Sequence, residues 1–485
     1  MRVLSNLEPK NVFQYFEDIC AIPHGSGNTD AISAYIVDFA KKNDLTYVTD
    51  RLGNVIIYKC GSKGYENAPA VVLQGHMDMV CEKNYELASK FNFKKDGLKL
   101  EVSDEYVYAK GTTLGGDDGI AVAYMLALLA GDYEHPPIEC VFTVDEEVGM
   151  DGALALDPSY LKGRILLNLD NEEQGEILTS CAGGSRVICR VPVRYCEMQG
   201  VRCNLVICGL AGGHSGTEID KYHGNANLLM GRMLHFIGKQ IHYDICALSG
   251  GLQDNAIPRE SNAQILVNEQ DVEKLEGIVA EYEKIIQNEY RATEHNITIY
   301  CETFETVQKA VLTPKTRERA VFLLMTIPDG IQKMSMDTEH LVQTSSNAGI
   351  MRLQDDYFEL IVSVRSSITS EKIALRDKIQ YLTETIGGKY TVESDYPAWE
   401  YKEDSPLRRL VFEVYQQQFG KNPHMTGIHA GLECGIFCEK IPDMDMVSFG
   451  PTIEAIHTPK EKLDIRSTQE TWEFLLNILK ALKKK

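Results

Sequence analysis

Four short apolar runs in this 485-residue chain each end on residues able to hold a metal ion. VVLQGHMD carries His76 and Asp78, CVFTVDEE carries Glu146 and Glu147, RILLNLD ends on Asp170, and MVSFGPTIEAIH ends on His457. Runs of this length without a polar face read as strands buried on both sides, the kind found in a mostly parallel sheet covered by helices. An open sheet of that type has its ligand crevice beyond the C-terminal ends of its strands. Imidazoles and carboxylates at those ends are therefore expected to converge. With Asp117 in GTTLGGDDG they supply enough donors for two zinc-like ions that share one carboxylate.

The rest of the chain fits such a frame. Helix and strand patterns alternate over the first 184 residues, with helices expected at 29–43 and 120–129 and strands at 53–58 and 71–73, which predicts a doubly wound α/β domain. From about residue 185 the texture changes to longer strands and amphipathic helices, and near Trp399 the first texture returns, with helices expected at 406–419 and 468–482. Residues 1–184 and 400–485 are thus expected to form one domain, interrupted by an α+β domain at 185–399. Within the insertion QDNAIPRESNAQILVN echoes SSNAGIMRLQDDYFELIVSVRSS, which predicts two related halves.

Composition excludes several classes. A length of 485 residues exceeds one hydrophobic core. A formal charge of -21 argues against nucleic acid, since phosphate binding needs clustered Lys and Arg. The only basic run, Lys483 to Lys485, reads as a solvated tail. No stretch approaches the ~18 apolar residues of a membrane span, and MRVLSNLEPKNVFQYFEDI lacks the apolar run of a secretory signal. A cytoplasmic protein with no membrane partner is expected. Its thirteen cysteines, an odd number without repeating spacing, read as reduced thiols, and Cys434 and Cys438 as buried structural residues.

Taken singly, the candidate ligands have ordinary explanations. His76 and Asp78, two apart, would face one side of a strand, so Asp78 could take the second imidazole N–H of a metal-bound His76. Asp117 and Asp118 would also suit a helix start. Adjacent Glu146 and Glu147 diverge on an extended strand and reach one centre only if the chain bends after ECVFTV. Asp170, an acid closing so apolar a run, needs a partner. His457 lies in a loop after a Gly-Pro turn.

Taken together, QGHMDMV, GTTLGGDDG, TVDEEVGM, LNLD, GGHSG, NAIPRE, HAGLECG and the late His457 resemble the cytosolic aminoacyl-histidine dipeptidases of the di-zinc exopeptidase superfamily, in order across nearly the whole chain. The resemblance implies that His76 and Asp170 bind one metal, Glu147 and His457 the other, and that Asp117 bridges them before a cis peptide to Asp118. It makes Asp78 the orienting acid of His76 and Glu146 the general base and acid. The inserted domain would be a lid, with His214 stabilising the oxyanion, Arg365 and Asn255 holding the substrate carboxylate end, and Gly431 and Glu433 lining the pocket. Zinc is the implied metal, with cobalt or manganese as alternatives; a small peptide is the implied substrate, and a homodimer stands beside a monomer. The pattern departs at Asp118, where Asn is usual, which adds an acid beside the metals. Two other functions use the same residues: hydrolysis of another amide, such as an N-acyl amino acid or a tripeptide, and a catalytically silent metal-binding scaffold.

Overall fold

The computed structural model describes residues 2–483, so Lys484 and Lys485 of the expected tail lie outside the described residues. The chain divides into two compact units. One comprises Met1–Ser180, Tyr401–Gly427 and Leu432–Lys485, and the other Cys181–Glu400 with Ile428–Gly431.

The first unit is built on an eight-stranded sheet whose centre is parallel. Ile138–Thr143, Val71–His76, Ile165–Asn168 and Asp445–Ser448 lie side by side in that order. Every residue of Val71–His76 and Ile138–Thr143 is buried, as runs without a polar face require. Antiparallel pairs flank this centre. The parallel register aligns the strand ends: His76 pairs with Thr143, Gln74 with Asn168, and Asn168 with Ser448. Residues just past those ends are thereby delivered to one side of the sheet.

The helix Gly116–Ala130 is apolar all round and buried along almost its whole length, packed on the strand Val71–His76 and the helix Lys10–Cys20. Aromatic packing ties in the last helix, Ile465–Ala481, whose Trp472 ring stacks on Tyr124 at 5.8 Å between centroids. A fully buried side chain of this size contributes roughly 1.5–3 kcal/mol. That packing fixes the strand ends on which the donors sit. The last helix begins at Ile465, three residues before its expected start, because the Asp464 carboxylate accepts the Ser467 N–H at 2.5 Å and caps it.

A small four-stranded sheet also belongs to this unit, in the order Ile453–Glu454, Lys462–Asp464, Tyr106–Ala109, Leu100–Ser103. Its first two strands form a hairpin whose connection carries His457. The GTTLGGDDG turn follows directly on its third strand.

The second unit is one nine-stranded antiparallel sheet with four helices. Its strand order repeats about the middle. Thr298–Leu312, Tyr195–Cys208, Ser261–Val267 and Asp244–Gly250 run inward from one edge; Lys389–Tyr396, Gly183–Pro192, Tyr357–Ser366 and Val342–Leu353 run inward from the other. The two sets meet where Ser249 and Gly250 pair with Arg352 and Met351. Each set has two of the helices, and apart from the ninth strand, Gly330–Met334, which pairs with Val342–Leu353 in the second set, both halves read strand, helix, strand, strand, helix, strand. Among the described residues no helix is long and apolar enough to cross a membrane, and no disulfide joins any of the thirteen cysteines.

Candidate metal centre

In the first unit four side chains converge around Asp117. Its Oδ1 lies 3.0 Å from His76 Nε2, which is itself 3.6 Å from Asp170 Oδ1. Its Oδ2 lies 3.2 Å from His457 Nε2, which is 2.9 Å from Glu147 Oε1. The two oxygens of one carboxylate thus face two separate groups, each with one imidazole and one further acid. Each group could hold a cation, its donor atoms all lying within 4.8 Å of one another, and His76, Glu146 and Glu147 form a third such group.

Local backbone geometry explains the convergence. After the strand Ile138–Thr143 the chain turns at Asp145, whose φ of 55° is left-handed, and this bend brings adjacent Glu146 and Glu147 toward His76. The peptide between Asp117 and Asp118 is cis, and both residues depart from helical geometry at the head of the buried helix. His457 and Ala455 both have positive φ, at 57° and 53°.

Asp78 has more partners than an orienting acid needs. His76 Nδ1 lies 3.0 Å from the Asp78 carbonyl oxygen and 3.4 Å from its carboxylate. The carboxylate also accepts the Glu146 N–H at 3.0 Å, the Glu147 N–H at 3.4 Å and the Ser26 hydroxyl at 2.8 Å. One buried acid therefore fixes the imidazole and the turn of the two glutamates together. The sequence carries no signal for Ser26, because its role exists only where the N-terminal loop meets this strand.

The electrostatics call for positive charge. Among the described residues, the ion pairs of Asp78, Asp117, Glu147 and Asp170 are all with His76 or His457. Burial, with Asp170, Glu433 and Glu147 nearby, holds Glu146 well above the ordinary carboxylate range despite His76. Burial likewise pushes Asp170 up to about 6 and Glu172, an acid the sequence reading passed over, to about 8. Asp117 goes the other way: burial opposes its ionisation, but hydrogen bonds from His457 and His76 win. Buried acids in this number are stable only when paired or bound to metal. Two imidazoles and three carboxylates, one of them shared, fit a pair of divalent ions.

Asp118 does not join these groups. Its Oδ2 accepts the His76 backbone N–H at 3.2 Å, and burial, with Asp170 and Asp117 close by, raises its carboxyl far above the usual range. Burial thus disfavours the extra charge expected there from the sequence.

Glu433 also differs from expectation. It is fully buried, accepting from Gln74 and, at 2.6 Å, from the Thr143 hydroxyl, while Gln74 accepts from Asn168 at 2.7 Å. It belongs to a polar network joining three central strands just beneath the donors, and it lines no open surface. Burial, with Asp170 and Asp78 nearby, pushes it up to about 8. A folded-state value above the ordinary 4.5 means its contribution to stability is full below that pH and is lost as pH rises toward 8. Glu433→Gln, which cannot ionise, is expected to gain on the wild type across that window, by on the order of a few °C in unfolding midpoint for the metal-free chain. A midpoint difference that stays constant from pH 4.5 to 8 would show that Glu433 is not the titrating group.

The remaining candidates lie in the second unit. His214 Nδ1 accepts the Thr217 N–H at 3.2 Å, which leaves its ring proton on Nε2. Asn255 is exposed, and its carbonyl accepts the Ser215 N–H at 2.8 Å beside His214. Arg365 is 7 % exposed; its Nη1 donates to the Tyr396 hydroxyl at 3.0 Å and its Nε has no hydrogen-bond partner among the described residues. Gly431 backs onto the Tyr396 ring. Nearby, His429 Nε2 lies 2.7 Å from Ser345 Oγ, and Ser345 pairs with Arg365 in the sheet. Burial and the Arg365 charge hold His429 down to about 3, so it is neutral. Neither Tyr396 nor His429 stood out in the sequence.

Fold and site together define a class. Residues 72–481 match the model of peptidase family M20/M25/M40, and the chain belongs to that family of hydrolases. Over 485 residues it is 38% identical to the cytosol non-specific dipeptidase of Escherichia coli (strain K12), covering 99% of both chains. Its structure is similar to that of aminoacylhistidine dipeptidase from Vibrio alginolyticus, with a TM-score of 0.89 and 36% identity over 99% of this chain and 98% of that one. Aminopeptidase PepT from Bacillus cereus, at a TM-score of 0.56 and 15% identity over 99% of this chain and 100% of that one, shares the fold alone.

Proposed function

We propose that this chain hydrolyses the peptide bond of unblocked dipeptides, Xaa-His among them, with two divalent ions held by His76, Asp117, Glu147, Asp170 and His457. The observation that carries the reading is Asp117, whose two oxygens face separate imidazole–carboxylate groups at 3.0 and 3.2 Å. Zinc suits this nitrogen and oxygen donor set. Such a pair of ions polarises a scissile carbonyl and acidifies a water. Glu146 takes the proton of the attacking water and returns it to the departing amine nitrogen, a task suited to an acid with raised proton affinity. Asp78 keeps the His76 ring and the Glu146 turn in register. His214, with its proton on Nε2, donates to the oxyanion. Cytoplasmic placement is supported by the Escherichia coli relative, described as cytosolic.

Arg365 gives the reading its substrate class. A guanidinium this buried, with no ion pair among the described residues, is costly unless a ligand supplies the anion, and its fork matches a carboxylate. Arg365→Ala is expected to raise KM for a free dipeptide by about 10–100-fold, the worth of one charged hydrogen bond. An amide-capped dipeptide should be cleaved poorly by wild type and no worse by the variant. Turnover of Ala-His, beta-Ala-His, Ala-His amide, an N-acyl amino acid and a tripeptide, each with defined zinc, cobalt or manganese, tests both claims. Preference for the acyl amino acid or the tripeptide would overturn the dipeptidase reading.

A further inference from the structure

We infer that Glu461 is the positioning residue for Asp117 and His457, setting the spacing at which both donors meet a cation. The inference rests on the two-metal reading above. Glu461 is 3% exposed and forms no ion pair among the described residues. Its partners are consecutive backbone amides of the GTTLGGDDG turn. Oε2 accepts from Leu114 at 2.7 Å and Gly115 at 3.2 Å; Oε1 accepts from Gly116 at 2.8 Å and, at the limit, from Asp117 at 3.5 Å. The chain wraps one carboxylate as an anion nest, and the residue leaving the nest is Asp117.

Two glycines make that wrap possible. Gly115 has φ 67° and ψ 32°, a left-handed conformation that other residues avoid. A Cβ on Gly116 would stand 3.3 Å from Glu461 Oε1 and 3.4 Å from Ile453. The glycines before Asp117 thus have a specific partner.

The other end of Glu461 is the His457 loop. That loop links the hairpin strands Ile453–Glu454 and Lys462–Asp464. Within it the Glu461 N–H donates to Thr458 O at 3.1 Å and the Thr458 hydroxyl to Ala455 O at 2.7 Å. The Glu461 carboxylate is therefore the tie between the loop bearing one donor and the turn bearing another, although 344 residues separate Glu461 from Asp117 in sequence. A group that supports metal donors in this way typically changes metal affinity or activity by about 10–100-fold when altered.

The competing role is a cap on the helix Gly116–Ala130, where negative charge near the N-terminus is favourable. A cap would alter stability and leave metal affinity alone. The test uses full-length chain stripped of metal and titrated with zinc against a competing chromophoric chelator, with thermal unfolding of the metal-free protein in parallel. Wild type is expected to take up two ions. Glu461→Gln keeps the shape but turns an amide NH2 toward backbone donors, and is expected to lower zinc affinity by about 10–100-fold and kcat at saturating zinc by about 10-fold, with KM unchanged. Gly116→Ala presses a methyl on Oε1 from the other side and should weaken zinc binding in the same direction, which keeps the test open if the glutamine variant does not fold. Ser405→Ala, which removes the cap of the helix Pro406–Phe419 in the same unit, is the control for stability loss without a change in zinc affinity. Wild-type zinc affinity in Glu461→Gln and Gly116→Ala, with lowered unfolding midpoints, would overturn the inference and leave Glu461 a cap. Fewer than two ions on wild type would instead overturn the two-metal reading, and the inference with it.

Discussion

Glu146→Gln is expected to lower kcat by on the order of 10²–10⁴-fold while the protein still takes up two ions. The separation follows from geometry. Asp117, paired with His76 and His457 at 3.0 and 3.2 Å, belongs to both imidazole–carboxylate groups, and Glu147 faces His457 at 2.9 Å, whereas Glu146 lies near His76 without standing in either group. Its backbone N–H is fixed by Asp78 at 3.0 Å, so the substitution removes a proton acceptor and leaves the turn in place. Glutamine has the same shape and cannot carry the proton. Metal analysis of the purified variant, beside turnover of a free dipeptide, checks both halves. A turnover within ten-fold of wild type, with two ions bound, would remove Glu146 from the proposed mechanism. Loss of an ion would make it a ligand.

Strand ends were the legible part of this site, because a short run without a polar face marks a buried parallel strand and its last residues are known from the sequence alone. His76 closes the strand Val71–His76, and Asp170 lies two residues past Ile165–Asn168. The bend that turns Glu146 and Glu147 together was posed by the sequence as a condition, and it rests on the left-handed Asp145. Groups that act through backbone amides were hidden. Ser26, bonded to Asp78, and Glu461, bonded to the Asp117 turn, have meaning only once distant loops meet. For Glu461 one faint signal existed, an acid four residues after His457 in the same loop. At Asp118 the sequence counts a charge that burial disfavours. In the second unit the Asn-Ala echo pointed at related halves, but the mirrored strand order is a property of pairing and cannot be read from either half alone.

Asp117 is the residue on which both halves of the centre depend, so its loss should cost more than that of any single donor. Asp117→Ala is expected to abolish tight uptake of both ions and to lower kcat/KM by at least about 10³-fold, since metal assistance supplies several kcal/mol of charge stabilisation. His457→Ala, which removes one imidazole from one group, should spare the group of His76 and Asp170 and retain one ion. The contrast separates a bridging carboxylate from an ordinary ligand. Asp117→Asn gives the intermediate case: its amide oxygen can serve the His76 side or the His457 side, lying 3.0 and 3.2 Å away in the native residue, but its nitrogen has no lone pair for the other. One tightly held ion and one weakly held ion are therefore expected in the asparagine variant, resolved as two phases in zinc competition titrations. Equal weakening of a single site by Asp117→Ala and His457→Ala would mean that Asp117 serves only one cation, and the shared-carboxylate arrangement would have to be abandoned.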